Sequence, residues 1–75
     1  MEEKILNLLS AEYPEIDFNS SDSLVDDGLL DSITITGIIA ILTMEFGINI
    51  PYEEIIEENF NSIKSLANMV ERLQN

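Results

Sequence analysis

Ser32-Ile33-Thr34-Ile35-Thr36-Gly37-Ile38-Ile39-Ala40-Ile41-Leu42-Thr43-Met44-Glu45-Phe46 reads two ways. Its opening, Ile33-Thr34-Ile35-Thr36, alternates and is β-branched, which is a strand signal. Ile38, Ile39, Ile41, Leu42 and Phe46 instead fit one face of a helix. Length decides between them, because about fifteen residues is long for a strand and ordinary for a helix. The ends agree, with polar Asp31-Ser32 where an N-cap belongs and Gly47 where a helix stops. A lone strand would also have no evident partner in this chain. The stretch therefore predicts a helix over 32–46, in which Gly37 costs roughly 1 kcal/mol relative to Ala.

On the N-terminal side, residues 14–31 read as a long connection. Asn19-Ser20-Ser21-Asp22-Ser23 is a turn cluster. Ile16, Phe18, Leu24, Leu29 and Leu30 are apolar within it and are expected to pin the loop onto the core. A loop this long inside a small domain is uncommon and often functional. Before it, Ile5, Leu8, Leu9 and Tyr13 recur at helical spacing, which predicts a helix over 2–12. Glu2 and Glu3 suit the positive end of its dipole, and Pro14 ends it.

On the C-terminal side, Pro51 opens a short element of about two turns, with Tyr52, Ile55, Ile56 and Phe60 able to share one side. Glu53 and Glu54 would face Glu57 and Glu58 at i,i+4, opposing a helix by roughly 0.2–0.5 kcal/mol per pair. This element must therefore be held by packing. Ser62 is a good N-cap for a last helix over 62–73, whose apolar side carries Ile63, Leu66, Ala67, Val70 and Leu73. The expectation is an all-α fold: a small four-helix bundle of three principal helices and one short one, with a long loop between helices 1 and 2. Seventy-five residues allow one domain, 1–75.

Charge narrows the function. Fifteen acids oppose three bases (Lys4, Lys64 and Arg72), a net charge of −12. Phosphate neutralisation requires Lys and Arg, so nucleic-acid binding is excluded, and an anionic membrane surface with it. Such a field favours cationic partners. No Cys or His is present, which removes disulfides, thiolate metal sites and a Ser-His nucleophile. Met1-Glu2-Glu3-Lys4 lacks the basic start of a secretory signal, and the run Ile35–Leu42 is too short to span a bilayer. A cytoplasmic monomer is expected.

The loop acids fail as a calcium site. With Gly28 at the sixth position, Ser23, Val25 and Asp27 fall at 1, 3 and 5 and Thr34 at 12. Only Asp27 is a proper ligand, and no metal site is expected. Neither is an enzyme, because so small a chain cannot build a cleft around paired carboxylates.

What remains is Gly28-Leu29-Leu30-Asp31-Ser32-Ile33. This stretch resembles the modification site of phosphopantetheine-dependent carrier proteins, a group that includes acyl, peptidyl and D-alanyl carriers. Their signature is a Gly, then Asp-Ser and an aliphatic residue at the start of the second helix. The resemblance extends over nearly the whole chain. It takes in Glu45-Phe46-Gly47-Ile48-Asn49-Ile50-Pro51, the Glu-rich short element, and Glu57, Asn59 and Phe60 before Ser62-Ile63.

The resemblance implies an acyl-carrier fold and a phosphodiester from the Ser32 hydroxyl to 4′-phosphopantetheine. The arm would carry an acyl or aminoacyl group as a thioester. Asp31 would flank the site and help position coenzyme A. The implied partners are a phosphopantetheinyl transferase, a loading ligase, and a downstream acyltransferase or synthase. By family correspondence the partner-facing side of the second helix holds Ile33, Thr36, Gly37, Ala40 and Met44. Glu53, Glu54 and Glu57 are the expected steering acids. Fatty-acid carriers usually place several acids along that helix, whereas here only Glu45 follows Asp31. The departure favours an aminoacyl or specialised acyl carrier with an apolar contact. Read without the resemblance, Ser32 is a simple N-cap. The competing function is then an acidic helical adaptor with no prosthetic group, using Ile33 to Met44 as its patch.

Overall fold

The computed structural model describes residues 1–74. Helix α1 (Glu2–Glu12) is followed by a long loop, then α2 (Ser32–Phe46), a 3-10 turn (Tyr52–Glu54), α3 (Glu57–Phe60) and α4 (Ile63–Gln74). No strand occurs among the described residues. The ambiguous stretch is thus helical along its length, and its caps explain why. The Asp31 carboxylate accepts from the Thr34 N–H at 2.8 Å. Gly47 ends the helix at φ 62°, the left-handed geometry that glycine adopts without a Cβ penalty.

Helix α4 is the central element and packs on α1, α2 and α3. It buries Ile63, Leu66, Ala67, Met69 and Val70 against Ile5 and Leu9 of α1 and Ile38 and Leu42 of α2. Each fully buried aliphatic side chain contributes about 1.5–3 kcal/mol. Leu8 of α1 is only half-buried, and Leu6 takes its place against the core. Ser62 caps α4 through the Ser65 N–H at 3.0 Å.

The long loop is held down as expected by Phe18, Leu24 and Leu30, which are buried, and by Ile16, which is partly so. Leu29 departs from that expectation and is 40% exposed. The loop is also tied to the far end of the chain through Asn61. The Asn61 carbonyl accepts from the Leu24 N–H at 2.8 Å. Its side-chain oxygen accepts from the N–H groups of Val25 and Asp26 at 2.9 and 3.2 Å.

The element after Pro51 is two pieces, not one. The backbone leaves helical geometry at Ile55 (ψ 73°) and Ile56 (ψ 155°). The break stops Glu53 and Glu54 from stacking over Glu57 and Glu58, the like-charge arrangement that opposed a continuous helix. It also ends the shared apolar side: Phe60 is buried, while Tyr52, Ile55 and Ile56 are exposed.

Two of the three cations are used internally. Lys4 Nζ lies 3.6 Å from Glu45 and 5.1 Å from the centre of the Phe46 ring, joining α1 to the end of α2. Arg72 pairs with Glu54, which also accepts from the Asn59 amide at 3.0 Å. The 3-10 turn is thereby fastened to α4.

Candidate functional site

The start of α2 is set by a chain of local constraints. Gly28 turns the loop at φ 79°. The N–H groups of Leu29 and Leu30 then both donate to the Leu24 carbonyl, at 2.9 and 3.2 Å. Leu30 is buried and anchors the approach. Asp31 follows in extended conformation and caps the helix. Its carboxyl is held below its ordinary value of 3.8, chiefly by the Thr34 N–H and then by the Thr34 hydroxyl. Ser32 is the first helical residue and is exposed.

Asp31 performs the capping, so the Ser32 side chain has no structural task. Its hydroxyl hydrogen-bonds to no group among the described residues. Its carbonyl accepts from the Thr36 hydroxyl at 2.8 Å. The simple N-cap reading of Ser32 is thus assigned to the wrong residue by one position. What Ser32 offers is a free primary hydroxyl at a helix N-terminus. Backbone N–H groups without intrahelical acceptors and the positive dipole end favour an anion there, and a phosphate above all. Asp31 at the N-cap already takes the Thr34 N–H, and no further acidic side chain lies in the first turn of α2.

Beyond Ser32, α2 shows solvent an apolar stripe. Ile33 is 83% and Met44 85% exposed, and Thr36 and Ala40 are exposed between them. Neither Ile33 nor Met44 faces the core. Gly37 differs from its neighbours, because a Cβ built on it would lie 2.0 Å from Tyr13 Oη. Its side-chain position belongs to the contact with the end of α1.

The acids after Pro51 separate into different roles. Glu53 is exposed. Glu54 is engaged by Arg72 and Asn59. Glu57 stands beside Asp26, whose carboxylate raises the Glu57 carboxyl above its ordinary value of 4.5 by sharing its proton and by like charge. Glu57 also borders a shallow apolar cavity of about 220 Å³, lined by Val25, Ile35, Ile55, Ile56 and Phe60. No group of three or more acids among the described residues could hold a metal ion. No described helix is long and apolar enough to cross a membrane.

Sequence reasoning missed three features of this region: the Tyr13–Gly37 contact, the Asn61 tether and the cavity. The first had a signal, since a glycine inside a helix often marks close approach of another group. The other two had none.

The family model described as phosphopantetheine attachment site matches residues 3–70, nearly the whole chain. No curated protein and no solved structure matches the chain.

Proposed function

This chain belongs to the phosphopantetheine attachment-site family, and from that premise we propose that it is a carrier whose attachment point is the Ser32 hydroxyl. The family's covalent group is 4′-phosphopantetheine. When bound, that group supplies a terminal thiol on a flexible arm, able to hold an acyl or aminoacyl cargo as a thioester. The observation that carries the assignment to Ser32 is that its hydroxyl is exposed and unengaged at a helix N-terminus already capped by Asp31.

The residues fit the group. In the attachment reaction Ser32 Oγ would be the nucleophile toward the pyrophosphate phosphorus that bears the pantetheine. The O–P bond formed would replace the bond to adenosine 3′,5′-bisphosphate, and the serine proton would have to go to a base outside this chain. The carrier itself has no histidine to take that proton. Its own contribution is to hold Ser32 at a fixed place on a rigid helix, with the electropositive helix end toward the new phosphodiester. Asp31 leaves Ser32 free by accepting the Thr34 N–H, and it would help position coenzyme A through a metal or a basic group of the partner.

Partner enzymes would then meet an apolar stripe, Ile33, Thr36, Ala40 and Met44, with acids at its margins. The scarcity of acids along α2 favours an aminoacyl or specialised acyl cargo loaded by a separate ligase over a role in fatty-acid synthesis. Incubation with a phosphopantetheinyl transferase and coenzyme A is the direct test. One added arm by intact mass is expected on the wild type and none on Ser32→Ala. An arm on Ser32→Ala would move the site elsewhere. No arm on the wild type with several transferases would leave the acidic adaptor as the better reading.

A further inference from the structure

Tyr13 and Gly37 meet where the end of α1 lies against the middle of α2. The end of the phenol occupies the volume that a side chain at position 37 would fill, 2.0 Å from an ideal Cβ. The ring is half-buried, yet its hydroxyl hydrogen-bonds to no group among the described residues. No buried side-chain oxygen or nitrogen among these residues lacks a partner, so this hydroxyl reaches solvent.

It emerges at the edge of the apolar stripe of α2. On a helix, residues four apart share a face and residues seven apart nearly do. Gly37 follows Ile33 by four and precedes Met44 by seven. Both of these are more than four-fifths exposed. Thr36 already donates its hydroxyl proton to the Ser32 carbonyl at 2.8 Å. The Tyr13 hydroxyl is therefore an uncommitted polar group set into an apolar surface, supplied by a different helix.

We propose that Tyr13 is a specificity-determining residue of the α2 docking face. The partner it fits is an enzyme surface with an apolar contact for Ile33 and Met44, a hydrogen-bonding group above the Gly37 notch, and lysines or arginines around the rim. The cationic rim follows from charge. The chain carries −12, Lys4 and Arg72 are paired internally, and Asp31, Glu53 and Glu57 remain exposed. A second copy of this chain would be repelled by the same charge. The inference rests on the carrier reading and names a contact that a partner makes on its way to Ser32.

Steady-state modification by a phosphopantetheinyl transferase with coenzyme A, followed by intact mass, tests it on wild type and Tyr13→Phe, beside thermal melts of both. The phenylalanine ring can keep its place beside the notch, where the Cζ position lies 3.4 Å from an ideal Gly37 Cβ, and loses only the hydroxyl. KM for the carrier is expected to rise about three- to tenfold, the worth of one neutral hydrogen bond, with kcat and melting temperature unchanged. Wild-type KM in Tyr13→Phe would overturn the inference. So would a loss of rate that tracks a lower melting temperature, which would make the hydroxyl structural. A wild type that takes no arm would defeat the carrier reading and this inference with it, whereas a modified wild type with an unaffected variant would defeat the inference alone.

Discussion

The Asp31 carboxylate accepts a 2.8 Å hydrogen bond from the Thr34 N–H, so that α2 is capped by the residue before the serine and not by the serine. The arrangement separates two tasks that a helix N-terminus often combines. Capping requires an acceptor turned back onto the first turn, and modification requires a hydroxyl turned out to solvent. Ser32→Ala is therefore expected to leave stability within about 0.5 kcal/mol of wild type, as for an ordinary surface position. Asp31→Ala is expected to lower the melting temperature and to speed hydrogen exchange in the first turn of α2. A large loss of stability in Ser32→Ala by denaturant unfolding would contradict this division.

The two shifted carboxyls give opposite pH dependences. Asp31 is held below its ordinary 3.8, mainly by the Thr34 N–H. Its folded form binds fewer protons than the unfolded chain in that range, so its contribution is present above 3.8 and is lost as pH falls through the lower folded value. Asp31→Asn keeps a capping acceptor but cannot titrate. Urea melts of the two proteins are expected to converge in pH dependence above about 5 and to differ below it. Equal slopes under acid would remove Asp31 as the titrating cap.

Glu57 runs the other way. Asp26 beside it first, then desolvation and last the charge of Glu58, raise its carboxyl above the ordinary 4.5. The folded state then holds a proton that the unfolded chain has released, so stability falls as pH rises through that window. Glu57→Gln is expected to be more stable than wild type at neutral pH. The advantage should shrink on acidification toward 4.5 and be reduced by salt, because both carboxylates are exposed. A neutral-pH advantage that persists unchanged under acid would point to a cause other than the pair.

The parts of this fold that could be read in advance were those fixed by neighbours in sequence. Asp31 and Gly47 bound α2, Ser62 caps α4, and Pro14 ends α1, each through contacts within a few residues. Ile33-Thr34-Ile35-Thr36 looked like a strand only while its length and caps were ignored. What stayed hidden was fixed by distant partners. The split at Ile55-Ile56 was foreshadowed by the like-charged glutamates. Even so, Arg72 and Asn59, which fasten Glu54, could not be placed from the sequence. The site divides in the same way. Asp31-Ser32-Ile33 was visible as a motif, whereas the space beside Gly37 is filled by Tyr13, which arrives from the end of α1.

Asn61 is the extreme case of a distant constraint, since its side chain meets Val25 across 36 residues of sequence. It accepts two loop N–H groups and donates to the Asp26 carboxylate at 3.3 Å. Asn61→Ala leaves both N–H groups without that acceptor and is expected to cost about 1–3 kcal/mol. Hydrogen exchange should localise the damage. Val25 and Asp26 are expected to lose protection, while Leu24 keeps more of it because its bond is to the Asn61 backbone carbonyl. Uniform loss across all three would mean that the loop detaches as one piece.

The Tyr13–Gly37 contact makes a prediction about coupling that neither residue makes alone. Gly37→Ala should favour the helix by roughly 1 kcal/mol from propensity, but its new Cβ would meet Tyr13 Oη at 2.0 Å. The ring has to swing aside, and that contact with α1 is lost. Without the hydroxyl, the nearest ring atom would be the former Cζ position at 3.4 Å, an ordinary contact. Gly37→Ala in a Tyr13→Phe background is therefore expected to be more stable than Tyr13→Phe by up to about 1 kcal/mol. The same substitution in the wild type should gain less or destabilise. A double-mutant cycle by urea unfolding measures the difference, and residues in contact typically couple by about 0.5–3 kcal/mol. Additive effects would mean that Tyr13 leaves the notch freely, and that the glycine is not there to receive it.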